Sequence, residues 1–365
     1  MSIAKWMNPD VAAIRPYEPG RPIEDVAREH GLAPAEICKL ASNENPLGVS
    51  RLALRAMKRA LPEMYLYPDG YGFELRQKLA ARTGFAPGQF IFGSGSNEIL
   101  EFIGHCYMGR DRSIVCSQYA FVVYKLVAQM FGSRILEVSA PTLGHDLPAM
   151  AKAIRPDTSI IFICNPNNPT GTLVTDAQVA KFMARVPEDV LVVFDEAYAE
   201  ICLGKMPDTS RYLREGRNVL ILRTFSKAYG MAGMRVGYAM GPAEIISALE
   251  RARQPFNVNR LAQTGAVAAL DDAGFLRRTR TLFRQGREMI EAACDEAGLE
   301  YQHSAANFML IKVGDGTRVT AGLTKRGVIV RPMGGYGLPS YIRVSYGTLA
   351  ENEKFISALR AETGK

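Results

Sequence analysis

The chain reads ILRTFSKAYGMAGMRVGY over residues 221–238, and this stretch indicates both the fold and a reactive site. An apolar run typical of a buried strand ends in TFSK (224–227), and a turn of small residues leads to Arg235, eight positions after Lys227. A lysine between a buried strand and a glycine-rich turn is expected to be partly desolvated. Desolvation lowers the pKa of an amine and frees its lone pair to attack a carbonyl. An ordinary lysine after a strand is the alternative, which Ser-Lys alone does not exclude.

Apolar runs of similar length recur around this stretch and alternate with helix-like segments. Runs rich in Val and Ile are typical of strands buried on both faces, and their alternation with amphipathic helices indicates a mainly parallel sheet. We therefore predict an α/β fold whose large domain holds a mostly parallel seven-stranded sheet between helices. The predicted strands are 89–93, 113–117, 134–138, 159–164, 189–194, 218–223 and 235–240, and the clearest helices are 97–108 and 176–185.

The last third of the chain has a different pattern, which predicts a smaller α+β domain. A charged amphipathic stretch covers 260–300, three strand-like runs follow at 307–313, 327–333 and 341–347, and a helix-like segment covers 350–361. We place the boundary near Gln254-Pro255. The predicted division is an N-terminal arm over 1–30 that joins the small domain, a large domain over 31–254, and a small domain over 255–365.

The composition limits the classes of partner. The net charge is +7 but no block of like charges occurs, so we expect small anionic ligands and no nucleic acid. Six cysteines without a C-x-x-C pair indicate a reduced, cytoplasmic protein, and four histidines without metal-ligand spacing predict no metal. We find no apolar run long enough for a signal peptide or a membrane span, so we expect no membrane partner.

Several polar motifs come directly after predicted strands. In an open α/β sheet, ligands bind beyond the carboxyl ends of the strands, so these motifs should meet at one edge. In FGSGSNEIL (92–100), Ser96 and Asn97 would present backbone N–H groups to a phosphate, unless the motif is only an N-capped helix. In CNPNNPTG (164–171), two prolines fix a turn that could aim the Asn168 amide into the cleft or serve only as a tight loop.

Asp195 ends the most apolar strand, in VVFDEAYAEI (192–201), and a carboxylate there needs a partner. A protonated pyridine nitrogen would supply one, and a buried arginine is the alternative. Tyr198 could donate a hydrogen bond to an oxygen on the same ring. Lys227 comes 32 residues after Asp195, a spacing that fits the next strand, so the amine and the carboxylate should be neighbours.

Aromatic and basic residues in other loops complete the candidate site. Tyr119 follows a strand and could stack on a planar ring, whereas Tyr67 lies too early in the chain to reach its own site. Arg331 and Arg343 belong to neighbouring strands and would form a fork for a carboxylate or phosphate, unless they form surface salt bridges. The loop 333–336 between them has paired glycines and could move as a lid.

Taken together, these motifs resemble those of the fold type I aminotransferases that depend on pyridoxal 5'-phosphate (PLP). LASNENPLG, YPDGYG, GSGSNE, NPNNPTG, DEAY, TFSKAYGMAGMRVGY and YIRVSYGT occur in the family's order. Within this family, the arm with Pro16-Tyr17, LASNENPLG and the RPMGGYGLP loop look most like the histidinol-phosphate aminotransferases. The resemblance implies an aspartate-aminotransferase-like fold and a homodimer. It also implies histidine biosynthesis, with L-histidinol phosphate and 2-oxoglutarate converted to imidazole acetol phosphate and L-glutamate.

The resemblance implies a role for each matching residue. Lys227, Asp195 and Tyr198 would be catalytic, with Lys227 binding the cofactor covalently and moving the proton. The cofactor-binding residues would be Ser96, Asn97, Tyr119, Asn168, Asp195, Tyr198, Ser226, Lys227 and Arg235, with Tyr67 supplied by the partner subunit. The substrate-binding residues would be Tyr17, Asn45, Arg331 and Arg343. Histidinol phosphate carries a phosphate ester where glutamate carries its α-carboxylate, so one anion site would serve both substrates.

Three other functions share parts of this pattern. An aromatic amino acid aminotransferase would have the same cofactor site and a similar pocket of aromatic residues and arginines. A PLP-dependent decarboxylase of phosphorylated amino acids would differ in the orientation of the substrate about its α-carbon, which the sequence does not show. A ligand-sensing regulator of the same fold would carry an N-terminal DNA-binding module, and fewer than 40 residues precede LASNENPLG, which are too few for one.

Overall fold

A computed structural model describes residues 3–16 and 20–364. The strands are β1 (Cys38–Lys39), β2 (Phe90–Gly93), β3 (Ser113–Ser117), β4 (Arg134–Val138), β5 (Thr158–Cys164), β6 (Leu191–Asp195), β7 (Val219–Thr224), β8 (Gly237–Met240), β9 (Tyr301–Gln302), β10 (Phe308–Lys312), β11 (Val328–Ile329), β12 (Arg331–Pro332) and β13 (Tyr341–Ser345). The α-helices are α1 (Pro9–Ala12), α2 (Ile23–His30), α3 (Arg51–Ala60), α4 (Phe73–Thr83), α5 (Ser96–Tyr107), α6 (Val123–Met130), α7 (Leu147–Lys152), α8 (Asp176–Met183), α9 (Ser210–Arg214), α10 (Ala243–Ala252), α11 (Arg260–Ala269), α12 (Ala273–Glu296), α13 (Gly316–Lys325) and α14 (Leu349–Thr363).

The larger sheet has seven strands in the order β2-β8-β7-β6-β5-β3-β4. β3 to β7 run parallel to one another, whereas β8 is antiparallel to both β7 and β2. The predicted mostly parallel seven-stranded sheet is therefore confirmed. Because β5, β6 and β7 are adjacent and parallel, the residues that follow them come together at one edge.

The central strands of this sheet are buried on both faces. In β6, Val192 and Phe194 belong to the hydrophobic cluster on one face, and Leu191 and Val193 belong to the cluster on the other. The alternation follows from the two-residue period of a strand, which turns successive side chains to opposite faces. Side chains of α5, α6 and α10 pack in one cluster, and those of α8 and α11 pack in the other. These two layers hold the ends of the strands in place.

The smaller sheet lies in the last third of the chain, with the order β12-β13-β10-β9 and antiparallel pairing. The predicted runs 307–313 and 341–347 form β10 and β13. The run 327–333 divides into β11, which pairs with β1, and β12, which joins the smaller sheet. The amphipathic stretch 260–300 forms two helices, because Asp272 accepts a hydrogen bond from the Phe275 N–H and begins α12 there.

The predicted domain boundaries stay a prediction, although two sets of contacts bear on them. α11 packs against α3 of the large domain, so contacts place it there although it follows the predicted boundary at 254. β1 pairs in parallel with β11, and the Ser345 N–H donates to the Leu40 carbonyl, so residues 38–40 contact the small domain. The segment that leads from β1 to α3 therefore passes between the two domains.

Candidate active site

A cavity of about 260 Å³ lies between the strand ends of the larger sheet and the smaller sheet. Its lining comes from the N-terminus of α5, the loops after β5, β6 and β7, the segment after β1, and strands β12 and β13. Among the described residues it holds four basic side chains, Lys227, Arg235, Arg331 and Arg343, and one carboxylate, Asp195. This balance favours an anionic ligand. The predicted site residues that line it are Ser96, Asn97, Asn168, Asp195, Tyr198, Ser226, Lys227, Arg235, Arg331 and Arg343.

Lys227 lies three residues after the end of β7 and lines the cavity. Its Nζ donates to the Ser42 carbonyl over 3.2 Å. Burial, and after it the charge of Arg343, lower the pKa of the Lys227 amine to about 8. A substantial fraction of this amine is therefore neutral near physiological pH, which is the form that can attack a carbonyl or accept a proton.

Asp195 is the last residue of β6 and is 3% exposed. Its Oδ2 accepts a hydrogen bond from the Tyr124 hydroxyl over 2.6 Å, and its Oδ1 accepts one from the Ala197 N–H over 3.2 Å. Burial raises the pKa of the Asp195 carboxyl, while these two hydrogen bonds act in the opposite direction. A buried carboxylate that lines a cavity would be stabilised by a cationic ligand group.

An anion cradle lies at the N-terminus of α5. Ser96 is the first residue of this helix, so backbone N–H groups of its first turn have no intrahelical acceptor. The Arg235 guanidinium lies beside this terminus and donates to the Ser94 carbonyl over 3.2 Å. Gly95 has φ +79, a backbone conformation that favours glycine, and a Cβ added there would displace the Arg235 guanidinium, whose Nη2 would lie 2.3 Å away.

The two arginines of the small domain occupy directly opposite positions on adjacent strands, Arg331 on β12 and Arg343 on β13. Arg343 is buried, and its Nη1 donates to Asn168 Oδ1 over 2.6 Å while its Nη2 donates to the Ala41 carbonyl over 2.9 Å. Its Cζ also lies 5.0 Å from the centre of the Phe308 ring. These contacts hold one guanidinium rigidly at the cavity wall.

Asn43 and Tyr124 are two residues that the sequence reasoning missed. Asn43 lines the cavity, is 2% exposed, and donates from Nδ2 to the Tyr198 hydroxyl over 3.1 Å. Tyr124 contacts Asp195 and stacks on Phe162 with ring centres 4.5 Å apart. Both belong to motifs that the sequence had already singled out, LASNENPLG and SQYAFVVY. A side chain that supports another side chain gives no signal of its own in a single sequence.

Asn45 does not lie where its predicted substrate role requires. Its Nδ2 donates to the carbonyls of Lys227 and Ala228 and to Thr279 Oγ1, over 3.3, 3.2 and 3.1 Å. Asn45 therefore holds the backbone of the Lys227 loop, and Asn43, two residues earlier, reaches the cavity instead. The backbone at Asn43 is left-handed, with φ 54, a conformation in which the side chain takes a different direction from that on an extended chain.

Two of the tyrosines with predicted cofactor-binding roles, Tyr119 and Tyr67, are not among the residues that line the cavity. Tyr119 packs against a cluster that contains Met333 and Leu338, and Phe121 is the aromatic residue of the same loop that lines the cavity. Tyr67 is 79% exposed and stacks on Phe256 with ring centres 4.7 Å apart. The predicted stacking role of Tyr119 and the partner-subunit role of Tyr67 stay predictions.

The remaining predictions concern Tyr17, a metal site and a membrane-spanning segment. Tyr17, a predicted substrate ligand, lies outside the described residues. Over 3–16 and 20–364, we find no cluster of His, Cys, Asp and Glu side chains that could hold a metal ion. Every helix in that part of the chain is too short or too polar to cross a bilayer.

Comparison with known proteins places this geometry in a family. The model of the family "Aminotransferase class I and II" matches residues 35–359. Histidinol-phosphate aminotransferase of Akkermansia muciniphila is 47% identical over 361 residues, which cover 99% of both chains. The crystal structure of histidinol-phosphate aminotransferase from Sinorhizobium meliloti in complex with pyridoxal-5'-phosphate has a TM-score of 0.89 at 26% identity, and the match covers 98% of this chain and 97% of that one.

The predicted aspartate-aminotransferase-like fold is confirmed by a more distant structure. A double mutant of Thermus thermophilus aspartate aminotransferase matches with a TM-score of 0.81 at 22% identity, over 97% of this chain and 98% of that one. At this identity the match concerns the fold alone. The family match and the full-length relative together show that the chain belongs to the class I and II aminotransferase family.

Proposed function

We propose that this protein is a PLP-dependent aminotransferase that converts L-histidinol phosphate and 2-oxoglutarate to imidazole acetol phosphate and L-glutamate. The observation that carries the proposal is one cavity that combines a desolvated lysine, a buried carboxylate and a pair of arginines. The identity of 47% to a histidinol-phosphate aminotransferase over the full length supports the choice of substrate. This reaction would place the protein in histidine biosynthesis in the cytoplasm.

The residues present fit PLP in three respects. The Lys227 amine, with its pKa lowered to about 8, suits covalent binding of an aldehyde. The buried Asp195 carboxylate would gain a cationic partner in the ring nitrogen. The cradle formed by the N-terminus of α5 and Arg235, with glycine at position 95, suits the phosphate. The residues that would hold the cofactor are Ser96, Asn97, Asn168, Asp195, Tyr198, Ser226, Lys227 and Arg235.

The chain's own residues would divide the chemistry between them. PLP, when bound, withdraws electrons from the α-carbon of the substrate and so makes its proton acidic. Lys227 Nζ would remove that proton and hold it, because the neutral amine is a base whose pKa lies close to the working pH. Asp195 would keep its negative charge toward the ring nitrogen, with the Tyr124 hydrogen bond stabilising the ionised form.

Arg331 and Arg343 would bind the anionic group that differs between the two substrates. A guanidinium binds either a phosphate ester or a carboxylate by donating paired hydrogen bonds, so one arginine pair can bind both groups. Arg343 is fixed by Asn168 and Ala41, whereas Arg331 is partly exposed at the mouth of the cavity. Tyr17 stays a proposed third ligand of the same group.

A homodimer is part of this proposal. Tyr67 belongs to a segment whose large apolar side chains are exposed in the single chain, namely Leu61, Met64, Tyr65, Leu66, Tyr67, Tyr71 and Phe73. Exposed apolar side chains at this density are typical of an interaction surface. A second copy of the chain would cover them and could bring Tyr67 to the partner's cofactor.

The test is a measurement of kcat/KM for glutamate formation from 2-oxoglutarate, with L-histidinol phosphate or L-phenylalanine as the amino donor. We expect the value to be at least about tenfold higher for histidinol phosphate, because its phosphate ester carries more negative charge than the single α-carboxylate of phenylalanine and so gains more from the Arg331–Arg343 pair. A preference for phenylalanine would replace the proposal with an aromatic amino acid aminotransferase. Carbon dioxide release from a phosphorylated amino acid without glutamate formation would replace it with a decarboxylase.

A further inference from the structure

Tyr198 and Asn43 form a hydrogen bond whose direction has a consequence for the proposed cofactor site. Both side chains line the cavity and both are 2% exposed. Asn43 Nδ2 lies 3.1 Å from the Tyr198 hydroxyl oxygen. A hydroxyl has one proton to donate, so the identity of the donor in this bond decides where the Tyr198 proton points.

Ser345 on β13 fixes which end of the Asn43 amide faces Tyr198. Its hydroxyl accepts a hydrogen bond from the Asn43 backbone N–H over 2.9 Å and donates its own proton to Asn43 Oδ1 over 3.0 Å. Because Oδ1 already accepts the Ser345 proton, Nδ2 faces Tyr198 and acts as the donor. The Tyr198 hydroxyl therefore accepts from Asn43 and keeps its proton for another acceptor.

The Asn43 backbone is held as firmly as its side chain. Its φ of 54 is left-handed, a conformation that Asn adopts more readily than most residues. Its carbonyl accepts a hydrogen bond from Asn307 Nδ2 over 3.1 Å, and Asn307 is fully buried. Burial also raises the pKa of the Tyr198 hydroxyl, so this group stays protonated and can donate.

We propose that Asn43 is a positioning residue that, by donating to the Tyr198 hydroxyl, directs the Tyr198 proton into the cavity toward the cofactor's ring oxygen. This inference rests on the proposed function, because it needs PLP as the ligand. It adds a residue that the family resemblance did not point to, and it gives Ser345 and Asn307 of the small domain an indirect role in cofactor binding. An asparagine suits this position because its amide donates on one side and accepts on the other.

The test uses Asn43→Asp, which keeps the shape and tolerates the left-handed backbone but replaces the donor with an acceptor. The aspartate would accept the Tyr198 proton and so remove it from the ring oxygen. We expect PLP to bind the apoprotein about tenfold more weakly, as for the loss of one hydrogen bond of ordinary strength. We also expect a higher pH midpoint for the absorbance change of the bound cofactor, because a hydrogen bond donated to the ring oxygen stabilises the less protonated form.

A double-mutant cycle with Tyr198→Phe separates positioning from general disruption. If Asn43 acts through the Tyr198 hydroxyl, Asn43→Asp weakens PLP binding at least about fivefold more in the wild-type background than in the Tyr198→Phe background. The added charge acts in both backgrounds and cancels in the cycle. Asn43→Gly, which relaxes the backbone at φ 54, serves as an uncharged second variant and should give the same pattern.

Three results would overturn the inference alone, and a fourth would reject the proposed function on which it rests. An equal loss of affinity in the wild-type and Tyr198→Phe backgrounds would show that Asn43 has only a structural role. An unchanged affinity and an unchanged pH midpoint in Asn43→Asp would show that the bond does not direct the proton. An unaltered affinity in Tyr198→Phe would show that this hydroxyl does not contact the cofactor. Failure of the wild-type protein to bind PLP would reject the proposed cofactor site itself and this inference with it.

Discussion

The two walls of the cavity differ in how their charged groups are held. On the large-domain wall, Asp195 ends β6 and Lys227 lies just beyond the adjacent parallel strand β7, and burial shifts the pKa of both toward the neutral form. On the small-domain wall, Arg331 and Arg343 lie opposite each other on antiparallel strands and keep their charge. One wall therefore has groups that can change their protonation state, as proton transfer requires. The other has groups of fixed charge, as the binding of an anionic substrate requires.

The largest effect should come from removing the reactive group of the large-domain wall. Lys227→Ala deletes both the covalent attachment and the base, and we expect kcat for glutamate formation to fall by about 10⁴-fold. Anion binding by the small-domain wall should persist, so histidinol phosphate should still protect the apoprotein against thermal unfolding. Lys205→Ala, an exposed lysine in a loop, is the matched control and should keep full activity. Activity within tenfold of wild type in Lys227→Ala would contradict the assignment of this wall.

Asp195→Asn tests the second member of the same wall. It keeps the size of the side chain but removes the negative charge that would face the ring nitrogen. We expect kcat to fall by about 10²–10³-fold, the range for loss of a preorganised electrostatic partner. The measurement is kcat/KM together with PLP affinity, and Asp208→Asn near the surface is the control. Equal kinetics for the two variants would mean that Asp195 serves only its hydrogen bonds with Tyr124 and Ala197.

Arg343→Gln tests the opposite wall. It removes a buried charge that lies against the proposed anion site, and we expect kcat/KM to fall by about 10²-fold, mainly through KM, for both histidinol phosphate and 2-oxoglutarate. PLP affinity should change much less than in Asp195→Asn. Arg326→Gln removes a surface salt bridge with Glu362 and should change kcat/KM less than about twofold. A loss for only one of the two substrates would show that the anions bind at separate places.

The smallest effect concerns the pH at which the large-domain wall is active. Because burial lowers the pKa of Lys227 to about 8, the neutral amine increases as the pH rises through that value. The rate of covalent PLP capture by the apoprotein should therefore increase about tenfold between pH 7 and pH 9 and then level off. A rise that continued to pH 10.5 would mean that the amine is solvated as an ordinary lysine.

The sequence predicted the strands well where apolar runs have sharp ends. β3 and β4 coincide with the predicted runs 113–117 and 134–138. β8 begins two residues later than predicted, because the left-handed backbone at Arg235, with φ 55, ends the turn there. The division of 260–300 into α11 and α12 was missed, although Asp272 at the N-cap gives a signal in the sequence. Local sequence patterns thus predict which helices and strands form, whereas turns and caps, such as those at Arg235 and Asp272, determine where they begin and end.

The site was predicted to the extent that its side chains follow strands. Lys227, Asp195 and Arg343 line the cavity. Each lies within a strand or just after one, so the position of the strand determines the position of the side chain. Asn43 was missed and Asn45 preferred, because both belong to one loop and only its left-handed residue decides which amide reaches the cavity. Phe121 was missed in the same way, in the loop that also holds Tyr119. Loop side chains depend on long-range contacts that a single sequence does not contain.

The segment after β1 has a consequence for the construction of chimeras between related enzymes. Leu40, Ala41 and Asn43 form hydrogen bonds with residues of β11 and β13 in the small domain. Between them, the Ser42 carbonyl accepts a hydrogen bond from Lys227. A graft that exchanged residues 255–365 alone would place this segment against strands β11 and β13 of a different enzyme, with which its contacts are not matched. A graft that carried residues 38–45 together with 255–365 would keep the contacts of this segment with β11 and β13. The part of the chain that must be exchanged to change the substrate is therefore discontinuous in sequence.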